Sequence, residues 1–272
     1  MCRCGRVAFA SSGVAYLLSL LLCLQGCTSS SGSKKELKVA ATPVPHAEML
    51  EFVAPLLRQE GIELKVLVTD DYRLPNRELA EKEVDANFFQ HLPFLDEEVE
   101  HFHYPIRSFA KIELEPMGVY SDKIRDIGKV KEGFTVAVPN DPTNEGRALL
   151  LLQKHGLITL KDSTSLSATP LDIVDNPLHL KFKEADAAAL PRLLRDVGIA
   201  VINTNNVLQA GMSPLQDALV IEGSDSAYVN IIAIRIEDAK RADLLALKEA
   251  MTSQEMRHFI RKKYKGAVIP AF

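Results

Sequence analysis

Tryptophan is absent from the 272 residues, and the four cysteines present (Cys2, Cys4, Cys23 and Cys27) all fall within the first 27 positions. The rest of the chain therefore has no disulfide and no thiolate chemistry, and an exported domain of this kind is held together by its core alone. Also missing are a Gly-x-Ser-x-Gly elbow and a glycine-rich phosphate loop, so no common hydrolase or nucleotide signature is present. Asp70-Asp71 reads as a turn former rather than a catalytic acid pair. Positive charge is in deficit: the formal net charge of -4 becomes -6 once Arg3 and Arg6 are set aside, which argues against a nucleic-acid partner. No internal repeat is visible. Aromatic residues are only 6% of the chain, so each Tyr and Phe is worth locating.

What is present begins with a short basic region and the apolar run Val14 to Leu24, interrupted only by Ser19 and too short to span a bilayer comfortably. Residues 1–26 read as a secretory signal. Leu24-Gln25-Gly26-Cys27 looks like a bacterial lipobox that leaves Cys27 as an acylated N-terminus, although Gln25 stands where a small residue is more usual. Ordinary secretion with cleavage nearby is the other reading. Residues 27–36, with their Ser/Gly tract and Lys34-Lys35, read as a flexible tether holding the folded part off the membrane. Removing 26 of 272 residues leaves 246, enough for one large domain or two lobes.

Strand and helix patterns then alternate, which predicts an α/β fold with largely parallel sheets. Strands are expected at 37–41, 62–69, 134–138, 178–183, 199–203, near Leu219 and at 228–235. Helices are expected from His46 to about Gly61, locally adjusted at Pro55, and at 77–83, 140–156 and 187–196, with two amphipathic helices at the C-terminus. The charged stretch from Ser121 to Gly133 reads as the first connection between lobes. In open α/β sheets ligands sit beyond the carboxyl ends of strands, and Thr42, Asn140, Asn203 to Asn206 and Asn230 are the unusual polar residues there.

The segment Asn140 to Ile158 is the strongest single candidate. Asp141 can cap a helix, Pro142 suits its first turn and Gly156 can end it, so a strand delivers the chain to a helix N-terminus with Arg147 one turn on. Asn144 and Arg147 there could hold a small carboxylate, or simply cap and solvate an ordinary helix. Asn205 follows the buried-type strand Ala200-Val201-Ile202-Asn203-Thr204, and Asn230 sits inside Tyr228-Val229-Asn230-Ile231-Ile232. Each singly is explained as a turn-holding amide, but together with Asn144 and Arg147 they suit an amino acid, with Arg147 pairing the carboxylate and amide oxygens accepting from the ammonium. Tyr72, Phe89, His91, Phe109 and Tyr228 fall near segment ends; each is a core candidate, and as a group they could wall an apolar side chain such as a thioether. Metal capture by His46, Glu48, His91, His101 and His103 is disfavoured, because His101 and His103 sit beside the acidic run 96–100 without a tight helical pair.

The segments ATPVPHAEMLEFVAPLL, DYRLPNRELAEKEVDANFFQHLPFLD, VAVPNDPTNEGRALLLLQKHGLI, AVINTNNVLQAGM, YVNIIAIR and KKYKGAVIPAF closely resemble the methionine-binding lipoproteins of NlpA type, substrate-binding components of methionine ABC importers. The resemblance covers nearly all of residues 39–272. It implies a two-lobed, periplasmic-binding-protein-like fold, with lobe 1 from 37–118 and 227–272 and lobe 2 from 119–226, closing on L-methionine at a hinge. It assigns Arg147 with Asn144 to the carboxylate, Asn205 and Asn230 to the ammonium and backbone, and Tyr72, Phe89, His91 and Phe109 to the side-chain pocket. It also implies a monomer anchored by lipid to the cell membrane, facing the periplasm or exterior, with an ABC permease and ATPase as partners, and with no catalytic residue, cofactor or metal. Asn206 stands where Tyr is common in the family, and Ala227 replaces a usual Pro. A methionine-containing dipeptide or another apolar amino acid is the alternative ligand. A metal-binding lipoprotein or a surface adhesin is the alternative of another class.

Overall fold

The computed structural model describes residues 35–224 and 226–272. The expected signal (1–26), the acylation site Cys27 and the tether up to residue 34 lie outside the described residues. Strand β1 (Lys35–Ala41) goes from exposed to fully buried along its length, so it enters the protein from one end. Helix α1 (Glu48–Gln59) returns the chain over one face of the sheet. Its Met49, Leu50, Val53 and Leu57 recur every three or four residues and are all buried. The helix accommodates Pro55 without a break, and Gly61 at φ +80 closes it. Then come β2 (Ile62–Val68), α2 (Leu74–Ala80), β3 (Ala86–His91), α3 (Leu92–Phe102), β4 (Ile106–Leu114) and β5 (Gly118–Tyr120). Helix α2 starts three residues earlier than expected because Pro75 falls in its first turn, where a missing N–H costs nothing.

Strand β6 (Thr135–Pro139) leads into α4 (Pro142–Lys154), followed by β7 (Thr159–Leu160), β8 (Ile173–Asp175), β9 (Lys181–Ala185) and α5 (Leu190–Leu193). The strand expected at 178–183 forms later because the Asn176 amide closes a turn on the backbone of Leu180. The helix expected at 187–196 is one tight turn plus the short α5, since Pro191 withholds an N–H. The chain ends with β10 (Ile199–Ile202), α6 (Thr204–Gln209), α7 (Pro214–Asp217), β11 (Ala218–Ile221), β12 (Val229–Arg235), α8 (Ala242–Met251), α9 (Gln254–Tyr264) and β13 (Ile269–Pro270).

Two large sheets result, in the orders β13-β4-β12-β3-β1-β2 and β11-β5-β10-β6-β9. β1 is parallel to β2 and β3, and β6 is parallel to β9 and β10; β12, β4, β13, β5 and β11 pair antiparallel, so the α/β sheets are mixed. The chain crosses between sheets at Glu115–Met117 and again between Ile221 and Val229. This corrects the expectation that Ser121 to Gly133 is the first connection: β5 already belongs to the second sheet, and that stretch only joins β5 to β6. The crossings are bonded to each other, with Glu222 N–H donating to Met117 O at 2.9 Å and Met117 N–H donating to the Glu222 carboxylate at 2.9 Å.

Helices α1, α8 and α9 cover one face of the first sheet around Leu37, Val39, Phe88, Ile112 and Ile232. Helix α4 covers the second sheet through Leu149 and Leu152 against Val136, Val138 and Val201. Each such side chain contributes roughly 1.5–3 kcal/mol by burial, so the two sheets are rigid walls for what lies between them. Among the described residues no helix is long and apolar enough to cross a membrane.

Candidate functional site

Between the sheets lies a small cavity. Seven of the eight residues that the resemblance gives to the ligand line it: Tyr72, Phe89, His91, Asn144, Arg147, Asn205 and Asn230. Phe109 does not join them. It sits on β4 against the core under α1 and α8, with Lys248 Nζ 5.2 Å from its ring centre, because β4 turns that side chain to the helix-covered face.

Helix α4 supplies the polar side. The Asp141 carboxylate accepts from the Asn144 backbone N–H at 3.0 Å and from its amide at 2.9 Å, so the helix N-terminus is already occupied by its own cap rather than open to an anion. Thus fixed, Asn144 Oδ1 accepts from Asn203 Nδ2 at 2.7 Å and lies 3.2 Å from His91 Nε2. His91 Nδ1 accepts the Phe94 N–H at 3.1 Å, which assigns the proton to Nε2 and makes the ring neutral. Burial, followed by the charge of Arg147, pushes its pKa down to about 3.

Arg147 is only 3% exposed. Its Nε donates to both Glu222 oxygens at 2.9 and 3.1 Å, and its Nη2 donates to Glu222 at 2.5 Å and to the Glu115 carbonyl at 2.8 Å. The Tyr228 ring lies 4.4 Å from the guanidinium carbon. Among the described residues Nη1 has no hydrogen-bond partner, nor do Asn205 Nδ2 and Asn230 Oδ1, and Asn203 Oδ1 is buried without one. These atoms are the unfilled polar groups of the cavity.

The aromatic side comes from the first sheet. Tyr72, Phe89 and Phe94 form a cluster with ring centres 5.8–6.3 Å apart. Tyr72 also bridges the sheets: its hydroxyl donates to Asn205 Oδ1 at 2.8 Å and accepts from Asn206 Nδ2 at 3.1 Å. Behind Phe89 the amides of Asn76, Asn87 and Gln90 bond one another, so β3 carries no unpaired amide there.

Sequence reasoning missed Phe94, whose spacing in α3 reads as core, and it missed Glu115 with its neighbour Glu113. Their ligand atoms and that of His46 lie within 4.8 Å of one another. Asn230 Nδ2 donates to both carboxylates, at 2.8 and 3.1 Å, from the position a cation would take. The trio is therefore a hydrogen-bonded cluster. Burial pushes Glu113 up to about 8; burial and then the Glu113 charge push Glu115 up to about 8. Burial lowers His46. His101 and His103 are on the surface.

The family model described as NlpA lipoprotein matches residues 37–272. The chain belongs to the NlpA lipoprotein family. The methionine-binding lipoprotein MetQ of Bacillus subtilis is 39% identical over 267 residues, covering 94% of this chain and 97% of that protein. A nutrient binding protein from Burkholderia cenocepacia, whose structure is described as bound to methionine, is 42% identical with a TM-score of 0.84, over 87% of this chain and 100% of that one. The structure of an ABC transporter periplasmic substrate-binding protein from Coxiella burnetii is 42% identical with a TM-score of 0.82, over 86% and 100%. The two-sheet architecture with a cleft between the crossings is thus a periplasmic-binding-protein-like fold of this family.

Proposed function

We propose that this protein is a lipid-anchored solute-binding protein that captures L-methionine outside the cytoplasmic membrane and hands it to an ABC permease driven by a separate ATPase. The observation that carries the reading is one cavity that combines an aromatic wall with unfilled polar groups of both kinds. Such a pocket suits a small ligand with an apolar body and a zwitterionic end. The methionine described in the B. cenocepacia relative supports the same ligand.

In this reading Arg147 Nη1 donates to the carboxylate. Asn205, expected at the ammonium, joins it there through Nδ2 because its Oδ1 is taken by Tyr72, and Asn144, expected on the carboxylate, instead fixes His91 and Asn203 around it because its own groups are bonded to Asp141 and Asn203. The ammonium is met by Asn230 Oδ1 and the Glu115 carboxyl. Tyr72, Phe89, Phe94 and His91 enclose the thioether, each aromatic contact worth about 0.3–1.5 kcal/mol. No bond is made or broken. The ligand favours the closed arrangement because its two ends contact opposite sheets, so neither sheet alone binds it fully. The crossings at 115–117 and 222–228 act as the hinge, and the monomer is tethered through Cys27.

The deciding experiment is mass spectrometry of what purified protein releases on denaturation, followed by calorimetry of the stripped protein with L- and D-methionine. Methionine released and L-methionine rebound is the expected result. A released methionine dipeptide would move the assignment to that class, and protein that neither carries nor binds an amino acid would overturn it.

A further inference from the structure

The acid cluster beneath the cavity has more negative charge than any nearby group neutralises. Glu113 and Glu115 are two residues apart in extended chain, so their side chains leave the same side. Each has an oxygen 3.2 Å from His46 Nε2, and each accepts from Asn230 Nδ2. The three are 0–5% exposed. Thr42 Oγ1 lies 2.5 Å from His46 Nδ1, which leaves the opposite nitrogen for the carboxylates.

The surrounding charges offset burial only in part: Arg147 and His46 pull the acids down, but burial outweighs them. Arg147, from α4, is committed to Glu222. Tyr264, from α9, donates to Glu48 on α1, and Glu48 is in turn met by Lys263. Tyr72 is held by Asn205 and Asn206. The Asn205 backbone N–H steadies Glu115, but it carries no charge. Glu113 Oε2 is buried without any partner. Two ionised carboxylates so placed would lack a dedicated cation, and buried acids in that position keep a proton instead. Only Glu115, His46 and Asn230 of this cluster reach the cavity wall.

We infer that the empty cleft stores a proton on the Glu113–Glu115–His46 cluster and expels it when the ammonium of an amino acid enters, so that capture exchanges one cation for another. The inference rests on the amino-acid reading above. In the exchange a carboxyl O–H bond breaks, its electron pair stays on the carboxylate, and the proton leaves to solvent as the ammonium takes its place. The charge of the cluster together with the ammonium group is unchanged, and the ligand's carboxylate goes to Arg147. Affinity then rises by about tenfold per pH unit while the cluster is protonated. It levels off once the pH is high enough for the cluster to lose its proton without a ligand, well above the usual carboxylate range because burial raises both acids. His91 is neutral throughout this window and contributes nothing to the slope.

The test is titration calorimetry of the full protein with L-methionine at pH 6 and pH 7, in phosphate and in Tris, whose ionisation heats differ. Release of about one proton per ligand is expected. In the Glu113→Gln/Glu115→Gln double variant release should fall to near zero, and any remaining affinity should be flat with pH. Wild-type binding with no buffer-dependent heat and no pH slope would overturn the exchange and leave the functional reading intact. Absence of methionine binding at every pH would overturn both. Undiminished release from the double variant would place the proton elsewhere and also overturn the exchange.

Discussion

Arg147 and Glu222 form one ion pair that spans the two crossings of the chain. Glu222 lies on the second crossing and also receives the Met117 N–H, while Arg147 Nη2 reaches the Glu115 carbonyl on the first. The guanidinium therefore belongs both to the cavity wall and to the frame that joins the sheets.

Removing Glu222 leaves a buried guanidinium unpaired. Glu222→Ala should lower stability by roughly 3–5 kcal/mol in denaturant melts without ligand. A ligand carboxylate replaces part of the missing charge, so methionine should raise the melting temperature of the variant more than that of the wild type. Equal shifts would mean that Arg147 does not meet the ligand.

Arg147→Ala removes the only guanidinium lining the cavity among the described residues. Methionine affinity measured by calorimetry should fall by roughly 2–5 kcal/mol. An unchanged dissociation constant would remove Arg147 from the carboxylate site.

Tyr72→Phe keeps the ring and deletes the hydroxyl that Asn205 and Asn206 share across the sheets. Binding should weaken by about 1 kcal/mol, the net value of one such hydrogen bond. Loss far beyond that would mean that the phenol touches the ligand.

Phe109→Ala separates core from cavity. The half-buried ring packs under α1 and α8, so stability should fall by roughly 1–3 kcal/mol while methionine affinity stays the same. Phe94→Ala, in contrast, should weaken binding.

The pH dependence of the empty protein follows from Glu113. Burial raises its folded pKa from the ordinary 4.5 to about 8, so the stability it contributes is full below pH 4.5 and is lost as pH rises toward 8. Thermal melts at pH 4.5 and 8 should show wild type losing ground to Glu113→Gln across that window. A constant difference would show that Glu113 does not hold its proton on folding.

Strand periodicity and helix caps made most elements legible, because β6 and α4 carry their signals locally: an apolar run, an Asp cap, a Pro and a Gly. The site was legible where unusual polar residues close a buried strand, as at Asn205, or interrupt one, as at Asn230. It was not legible at Ile112-Glu113-Leu114-Glu115, whose alternation is that of a strand with one wet face, whereas here both faces are buried. Nor could Glu222 be found, since Glu222-Gly223-Ser224 reads as an ordinary polar loop and its partner Arg147 is 75 residues away. At Phe109 the signal points the opposite way: an aromatic near a segment end reads as a pocket residue, and only the pleat of β4 decides that it faces the helix-covered core.

If one guanidinium serves both the ligand's end, as proposed, and the scaffold's joint, a change of taste at Arg147 would also loosen the frame. Divergence toward other ligands is channelled to the far wall. There the Tyr72 hydroxyl accepts from Asn206 Nδ2. New specificities would be expected to arise by exchange around Tyr72, Phe89 and Phe94, with the anchor inherited unchanged.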